Sequence, residues 1–525
     1  MEEQGQRRLS DLITGLKLKA QTGDADPVVT GIAMDSRKVS PGEIFIALPG
    51  TRVDGHKFIP QALDNGAAVV IGSRSTAEHG ERDITYLQVP DPYRALAAVS
   101  AAWYDHPARK LVVIGVTGTD GKTTTVNLIY EILRTAGIPV GMVSTVKAVI
   151  GEEGRDTGFH VTTPQALDLQ RYLAEMVEAE LTHAVLETTS HGLAQGRVLE
   201  CAFDLGVVTN ITHEHIDFHG SYQEYRRAKA SLFRLVAQSP VKDGQAAKLA
   251  VLNRDDQSYG YLKQRVAEWG VPEVSYGTHQ AADLRGDDLR ETAEGLRFNV
   301  IHDGQTQEFS SPLSGAYNVS NCLGAAAACV RGLGVKLEQA REGVARVGYI
   351  PGRMERIDLG QEPATIVDFA HTPNALRRAL ESVGELSEGR VIAVFGSAGL
   401  RDRAKRSLMA EIAGQRADLT VLTAEDPRTE DLDEILEEMA VGLKTEGGVE
   451  GETYWKVPDR GNAIRKALEL AGPDDLVIVC GKGHEQSMCF GETEYPWDDR
   501  QAVQAALAEM LGVEGPPMPY LPTQE

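Results

Sequence analysis

Gly115-Val116-Thr117-Gly118-Thr119-Asp120-Gly121-Lys122-Thr123-Thr124-Thr125 follows the apolar run Leu111-Val112-Val113-Ile114 and precedes Val126-Asn127-Leu128-Ile129-Tyr130-Glu131-Ile132-Leu133. The order is strand, phosphate loop, helix. Gly118 and Gly121 let backbone N–H groups turn inward around anionic oxygens, and the N-terminus of the following helix adds its partial positive charge. In this context Lys122 reaches toward terminal phosphates, the Thr123 hydroxyl toward Mg²⁺, and Thr119, Asp120 and Thr124 complete the loop. Val126, Ile129, Tyr130 and Leu133 share one helical face, which supplies the packing that the motif needs. A glycine-rich turn with a solvated lysine is the plainer alternative. The stretch predicts a nucleoside triphosphate site and leaves open what the phosphate is used for.

With 525 residues the chain is too long for one ordinary core, and a length prior suggests three or four domains. An apolar content of 42% with 25% charged residues is that of a soluble globular protein. No apolar run approaches the length that spans a bilayer, and Met1-Glu2-Glu3-Gln4-Gly5-Gln6-Arg7-Arg8 lacks the apolar core of a signal peptide. A cytoplasmic location without membrane association is expected. The formal charge of -23 argues against a nucleic-acid surface, so an anionic substrate must meet local basic clusters such as Arg401 to Arg406. The five cysteines show no C-x-x-C spacing and read as small buried residues.

Two Pro-containing joints, Trp103 to Arg109 and Gly348 to Arg353, punctuate the chain. They predict an α/β protein of three domains: a small N-terminal α/β domain (1–108), a central P-loop ATPase-like domain with a mostly parallel sheet (109–350) and a C-terminal Rossmann-like α/β domain (351–525). Strand-like runs are Ile44 to Leu48, Ala67 to Ile71 and Tyr86 to Val89 in the first, and Val140 to Thr145, His183 to Glu187 and Leu205 to Thr209 in the second. The third repeats strand then helix at Arg390 to Phe395, Leu419 to Thr423 and Leu476 to Cys480, so ligands are expected at the carboxyl ends of parallel strands. The Pro-rich tail, Gly515 to Pro522, is expected to fray.

Several polar clusters follow the central strands. Glu187 ends one of them, where an open α/β sheet places Mg²⁺ ligands; a solvated loop carboxylate is the other reading. Asn210-Ile211-Thr212-His213-Glu214-His215-Ile216-Asp217-Phe218-His219-Gly220 crowds three histidines and two acids. Its His213/His215 spacing suggests zinc only weakly beside a triphosphate that prefers Mg²⁺, and a single imidazole on magnesium suits the site better. Lys229 follows within Tyr225-Arg226-Arg227-Ala228-Lys229, where sequence alone reads it as an exposed helix lysine.

Taken together the residues resemble the Mur ligases, ATP-dependent amide-forming enzymes of peptidoglycan precursor synthesis, and among them the type that adds a diamino acid. The resemblance covers nearly the whole chain: Asp35 to Gly42, Asp54 to Ile59, the phosphate loop, Thr188 to Gln195, Asn210 to Gly220, Tyr317 to Asn321, Pro351 to Glu355, Asp368 to Pro373 and Gly481 to Glu485. It implies that the three domains bind, in order, a UDP substrate, ATP and an amino acid. Ser36 would lie at the uridine end, while Thr162, Thr163, Thr189, Gln195 and Arg197 contact the UDP-N-acetylmuramoyl dipeptide. Thr123 and Glu187 would hold one Mg²⁺ and His215 a second, with Lys229 carried as a carbamate derived from CO₂. Asn318, Arg353 and His371 would be outer ATP contacts. A monomer is expected, whose partners are the UDP-dipeptide and a diamino acid.

By the same resemblance the incoming amine is read in the third domain. Enzymes that add meso-diaminopimelate carry Asp-Asn-Pro-Arg where this chain has Glu425-Asp426-Pro427-Arg428, with Arg401, Gly481 and Glu485 as further contacts. A planar guanidinium suits a distal carboxylate. Asp426 departs from the pattern, as an anion that can only accept would favour lysine or ornithine. Leu400 departs as well, since those enzymes have Asp before the Arg. Diaminopimelate is the favoured expectation, with L-lysine or L-ornithine as alternative, and then another ligase of the superfamily such as folylpolyglutamate synthase, or a non-catalytic ATP switch.

Overall fold

Val112–Thr117 is buried at every position, as a parallel strand covered on both faces must be. In the computed structural model it lies inside a mostly parallel sheet that, among the described residues, has eleven strands. Residues 5–50, 53–75, 84–151, 153–155, 162–212, 216–242, 247–292 and 295–524 are described. The sheet order runs Glu153–Arg155, Ala148–Ile150, Val140–Val143, His183–Glu187, Val112–Thr117, Leu205–Val208, Leu249–Asn253, Glu273–Gly277, Leu284–Thr292, Gly295–His302, Gln305–Ser311. The last three strands pair antiparallel in hairpins. What matters for function is the centre of that order. His183–Glu187 and Leu205–Val208 flank the phosphate-loop strand in parallel register, so Glu187 and the turn at Thr209-Asn210 emerge beside the loop. One face of the sheet packs Ile114, Val116 and Val185 against Ile129 and Ile132 of the loop helix. The opposite face packs Val113 and Leu186 against Leu232 and Phe233 of the helix Tyr222–Gln238.

Two further sheets lie on either side in the chain. A five-stranded one, mostly parallel, joins Ala20–Thr22, Thr85–Gln88, Val69–Gly72, Ile44–Ile46 and Ile32–Ala33. A six-stranded one runs Glu355–Arg356, Ala364–Asp368, Leu476–Cys480, Val391–Phe395, Leu419–Leu422, Tyr454–Lys456, parallel except at its first edge. The α/β class with mostly parallel sheets agrees with the sequence. Among the described residues no helix is long and apolar enough to cross a membrane.

The tail differs from expectation. Leu521 is fully buried, Met518 packs on the third-sheet core, Gln501 donates to the Pro517 carbonyl and the Thr523 hydroxyl donates to Asp459 Oδ2 at 2.9 Å. Pro-rich composition signals loss of regular structure, whereas order here comes from side chains that dock on an existing core. Of the cysteines, Cys201, Cys322, Cys329 and Cys480 are buried and Cys489 is only half-buried.

Candidate functional site

The phosphate loop is tied by hydrogen bonds to the neighbouring strand end. Asn210 accepts from the Asp120 N–H through Oδ1 and donates through Nδ2 to the Asp120 carbonyl, both at 3.0 Å. The Thr209 hydroxyl donates to the same carbonyl at 2.6 Å. Gly118, at φ 153°, leaves no room for a side chain: a Cβ there would sit 1.7 Å from Thr209 Oγ1. The loop helix begins at Lys122 after Gly121, which is left-handed at φ 80°. Lys122 Nζ rests on the Thr119 carbonyl at 2.7 Å, at the mouth of the cradle.

Thr123 and Glu187 meet at its floor. The Thr123 hydroxyl donates to Glu187 Oε1 at 3.1 Å, and the Thr145 N–H donates to Glu187 Oε2 at 3.0 Å. Glu187 is 3% exposed, which removes the solvated-loop reading. A hydroxyl and a carboxylate converging at the end of a phosphate cradle form an oxygen donor set that fits Mg²⁺. Lys229 is likewise no exposed lysine: it is 2% exposed, with Nζ 2.5 Å from the Gly118 carbonyl and 4.6 Å from the centre of the Tyr225 ring. Tyr225 is a residue that the sequence did not single out, and its hydroxyl lies 2.9 Å from Thr119 Oγ1. His215, with His213 and Glu214, lies outside the described residues.

Segments distant in sequence close the pocket. Arg353 donates to Thr123 Oγ1 at 3.1 Å, and its guanidinium lies 4.5 Å over the Phe369 ring. Asn374, absent from the sequence reading, donates to Asp120 Oδ2 at 2.7 Å. A pocket of about 550 Å³ is lined by residues 119–124 together with Asn318, Arg353, Phe369 and His371. His371 Nδ1 is 2.9 Å from the Phe369 carbonyl, and Asn318 Oδ1 accepts from Asn321.

On the other side of Glu187 a polar group gathers Thr163, Thr189, Gln195 and Arg197. Thr163 donates to the Glu187 carbonyl at 3.0 Å, and its Oγ1 lies 3.0 Å from Thr189 Oγ1. Arg197 donates to the Thr163 carbonyl at 2.7 Å and to Gln195 Oε1 at 2.6 Å. Thr162 adjoins this group in sequence. Ser36 stands apart in the first sheet's domain, 5% exposed, its hydroxyl donating to Gln61.

The third polar group lies at the carboxyl ends of the last sheet. Glu425, Asp426, Pro427 and Arg428 leave the strand Leu419–Leu422, and Gly481 to Glu485 leave Leu476–Cys480. Asp426 and Arg428 hold left-handed backbone, φ 42° and 55°, as does Leu400 at 56°. Non-glycine residues in this region store strain that concentrates at ligand sites. Burial raises the Glu425 carboxyl to about 7, against the pull of Lys405, Arg460 and Lys482, and its Oε2 has no hydrogen-bond partner among the described residues. Gly481 is required beside it: a Cβ there would stand 2.6 Å from that oxygen.

Asp426 is not the bare anion that the sequence suggests. Lys482, 1% exposed, donates to Asp426 Oδ1 at 2.9 Å and pairs with Glu485 Oε2 at 2.5 Å, and the Cys489 N–H donates to Asp426 Oδ1 at 3.0 Å. Burial opposes both charges. Glu485 and Asp426 nevertheless hold the lysine above its ordinary range, and Lys482, the Cys489 N–H and Arg428 hold Asp426 below its own. The Arg428 guanidinium makes no hydrogen bond or ion pair among the described residues. The basic cluster from 401 to 406 is partly spent on the fold: Arg406 is fully buried between Glu430 and Glu438, and Arg403 pairs with Glu438. Arg401 is exposed. Lys482 lies within Gly481 to Glu485, where sequence gives it no role, because nothing in one dimension shows which acids face it.

Comparison with known proteins matches three family profiles. They are "Mur ligase family, catalytic domain" over residues 28–104, "Mur ligase middle domain" over 116–329 and "Mur ligase, glutamate ligase domain" over 352–483. A UDP-N-acetylmuramyl-tripeptide synthetase of Roseiflexus sp. (strain RS-1) is 42% identical over 511 residues, 96% of this chain and 99% of that protein. A UDP-N-acetylmuramoyl-L-alanyl-D-glutamate--2,6-diaminopimelate ligase of Gloeobacter violaceus is 40% identical over 513 residues, 96% and 98% of the two chains. The solved structure of another ligase of that name is 30% identical, with a TM-score of 0.64 over 97% of this chain and 100% of the other.

Proposed function

The chain belongs to the Mur ligase family, and on that premise we propose that it joins meso-diaminopimelate to the D-glutamyl γ-carboxylate of UDP-N-acetylmuramoyl-L-alanyl-D-glutamate. It is an ATP-dependent amide ligase of peptidoglycan precursor synthesis. The division of labour follows the three sheets, with UDP-substrate, ATP and amino-acid segments at 1–108, 109–350 and 351–525, in a monomer working in the cytoplasm.

The chemistry asked of the residues is charge neutralisation and positioning. Lys122 and the inward N–H groups of 118–123 take the terminal phosphate oxygens of ATP while the substrate carboxylate attacks the γ-phosphorus, giving ADP and an acyl phosphate. Thr123 and Glu187, with His215 and a carbamate on Lys229, would hold two Mg²⁺ ions, which when bound neutralise the developing phosphate charge. An ammonium at Lys229 would repel those ions, whereas a carbamate presents two anionic oxygens; its burial against the Gly118 carbonyl supports the assignment. Thr163, Thr189, Gln195 and Arg197 orient the muramoyl dipeptide beside Glu187, while Asn318, Arg353 and His371 border the nucleotide. The amine, deprotonated, then attacks the acyl carbon and phosphate leaves.

One observation carries the choice of amino acid: Lys482 already occupies the acids Asp426 and Glu485, while the Arg428 guanidinium makes no hydrogen bond or ion pair among the described residues. The charges of these four residues cancel. A distal end carrying both carboxylate and ammonium suits them better than the lone ammonium of lysine, and the carboxylate has Arg428 to meet. An amide-formation assay with meso-diaminopimelate, L-lysine and L-ornithine in competition tests it, and preference for either of the latter overturns it.

A further inference from the structure

The loops 425–428 and 481–485 leave strands that are not neighbours, since Val391–Phe395 runs between them. One side chain ties them together. Arg460, the first residue of the helix Arg460–Leu470, is fully buried, and its Nη1 donates to the Ala424 carbonyl at 3.0 Å while Nη2 donates to the Cys480 carbonyl at 2.7 Å. These are the carbonyls immediately before Glu425 and Gly481. Asp499, also fully buried, accepts from Arg460 Nε and Nη2 at 2.7 Å each, and Trp497 Nε1 donates to Asp499 Oδ1 at 2.8 Å. Asp499 opens the helix Asp499–Leu511, where the helix dipole favours an anion. Four guanidinium bonds thus converge from one rigid plane on two loop roots and one carboxylate.

We propose that Arg460, oriented by Asp499 and Trp497, is a positioning residue of the amino-acid pocket, setting the spacing between the loop that carries Glu425 and Arg428 and the loop that carries Gly481 and Glu485. The proposal rests on those loops being that pocket. Core packing alone would not need a charged group at this depth, because a buried ion pair is no better for stability than apolar side chains of the same volume. A planar fork does what an ammonium cannot: it holds two carbonyls and a carboxylate in fixed relative directions.

Arg460→Lys in the full-length enzyme keeps the charge and loses the fork. Its KM for meso-diaminopimelate rises about tenfold or more, while the KM values for ATP and the UDP-dipeptide stay within about twofold. Acyl phosphate formation from ATP and UDP-dipeptide, trapped by hydroxylamine without any diamino acid, keeps its wild-type rate. Equal losses in trapping and ligation, or an unchanged KM for the diamino acid in a folded variant, overturn the proposal. Should Arg460→Lys fail to fold, Trp497→Phe decides, because it removes the indole donor to Asp499, with part of the buried ring, and leaves Arg460 and its bonds to both loop carbonyls in place. A selective rise of about two- to fivefold in the KM for the diamino acid supports positioning, and an unchanged KM overturns it. Failure of the pocket assignment itself appears differently, in the wild type, as hydroxamate formation without ligation of any diamino acid, and overturns both.

Discussion

Truncating Arg428 to alanine separates recognition of the distal carboxylate from everything else that the site does. The guanidinium makes no hydrogen bond or ion pair among the described residues, and Asp426, which feels its charge, keeps Lys482 at 2.9 Å and the Cys489 N–H at 3.0 Å. The backbone bonds of residue 428, its N–H to the Cys489 carbonyl and its carbonyl to the Gly491 N–H, survive truncation. The folded state should therefore lose no more than about 1 kcal/mol. In the closed complex the missing partner leaves a substrate carboxylate unpaired, at a cost on the order of 2 to 5 kcal/mol, or about 30- to 5,000-fold in kcat/KM. Lysine brings no such carboxylate, so its kcat/KM should stay within about threefold. Phosphate release at saturating ATP and UDP-dipeptide, with either amino acid varied, gives the ratio. The control is Asp426→Asn, which should move the ratio by less than about threefold because Asp426 faces Lys482 rather than the ligand. Equal losses for both amino acids in Arg428→Ala, or a tenfold or larger shift in Asp426→Asn, would refute the reasoning.

Lys122→Ala should reduce ATP-dependent phosphate release by on the order of 10²-fold or more with an unchanged thermal midpoint, since its ammonium donates only locally among the described residues, to the Thr119 carbonyl; a folded variant near full activity contradicts this. Lys229→Ala should keep below about 1% of activity and regain part of it with a small added carboxylate. Mass and density that show an unmodified lysine in a fully active enzyme exclude the carbamate. Glu425 titrates near 7 in the fold against 4.5 ordinarily, so its contribution to stability is full below pH 4.5 and is lost as pH rises through 7. Glu425→Gln should gain on wild type by about 3 kcal/mol between pH 4 and pH 8, and a difference in denaturation midpoints that does not change with pH rules this out. Deleting residues 515–525 should cost on the order of 2 to 4 kcal/mol through the loss of buried Leu521 and the Thr523 tie to Asp459, whereas an unaltered melting curve restores the frayed tail.

Local chemistry was legible in the sequence. Glycine spacing, a strand before and a helix after specify the phosphate loop from eleven consecutive residues, and alternating strand and helix patterns specify parallel sheets with polar strand ends, because these depend on backbone geometry and short-range periodicity. The depth of a charged side chain did not follow from such patterns. Sequence left Glu187 open between a metal ligand and a solvated carboxylate and, taken alone, read Lys229 as exposed, until strand order set one beside Thr123 and the other beneath Gly118. The anion at 426 read as a repulsive element until folding brought Lys482, 56 residues later, against it. Asn374 and Arg460 carried no sequence signal at all, since what each does is a contact with a loop far away in the chain. Pattern determined which groups this protein has at its strand ends; the tertiary structure decided which of their charges are already answered from within, because charges cancel through space and not along the chain.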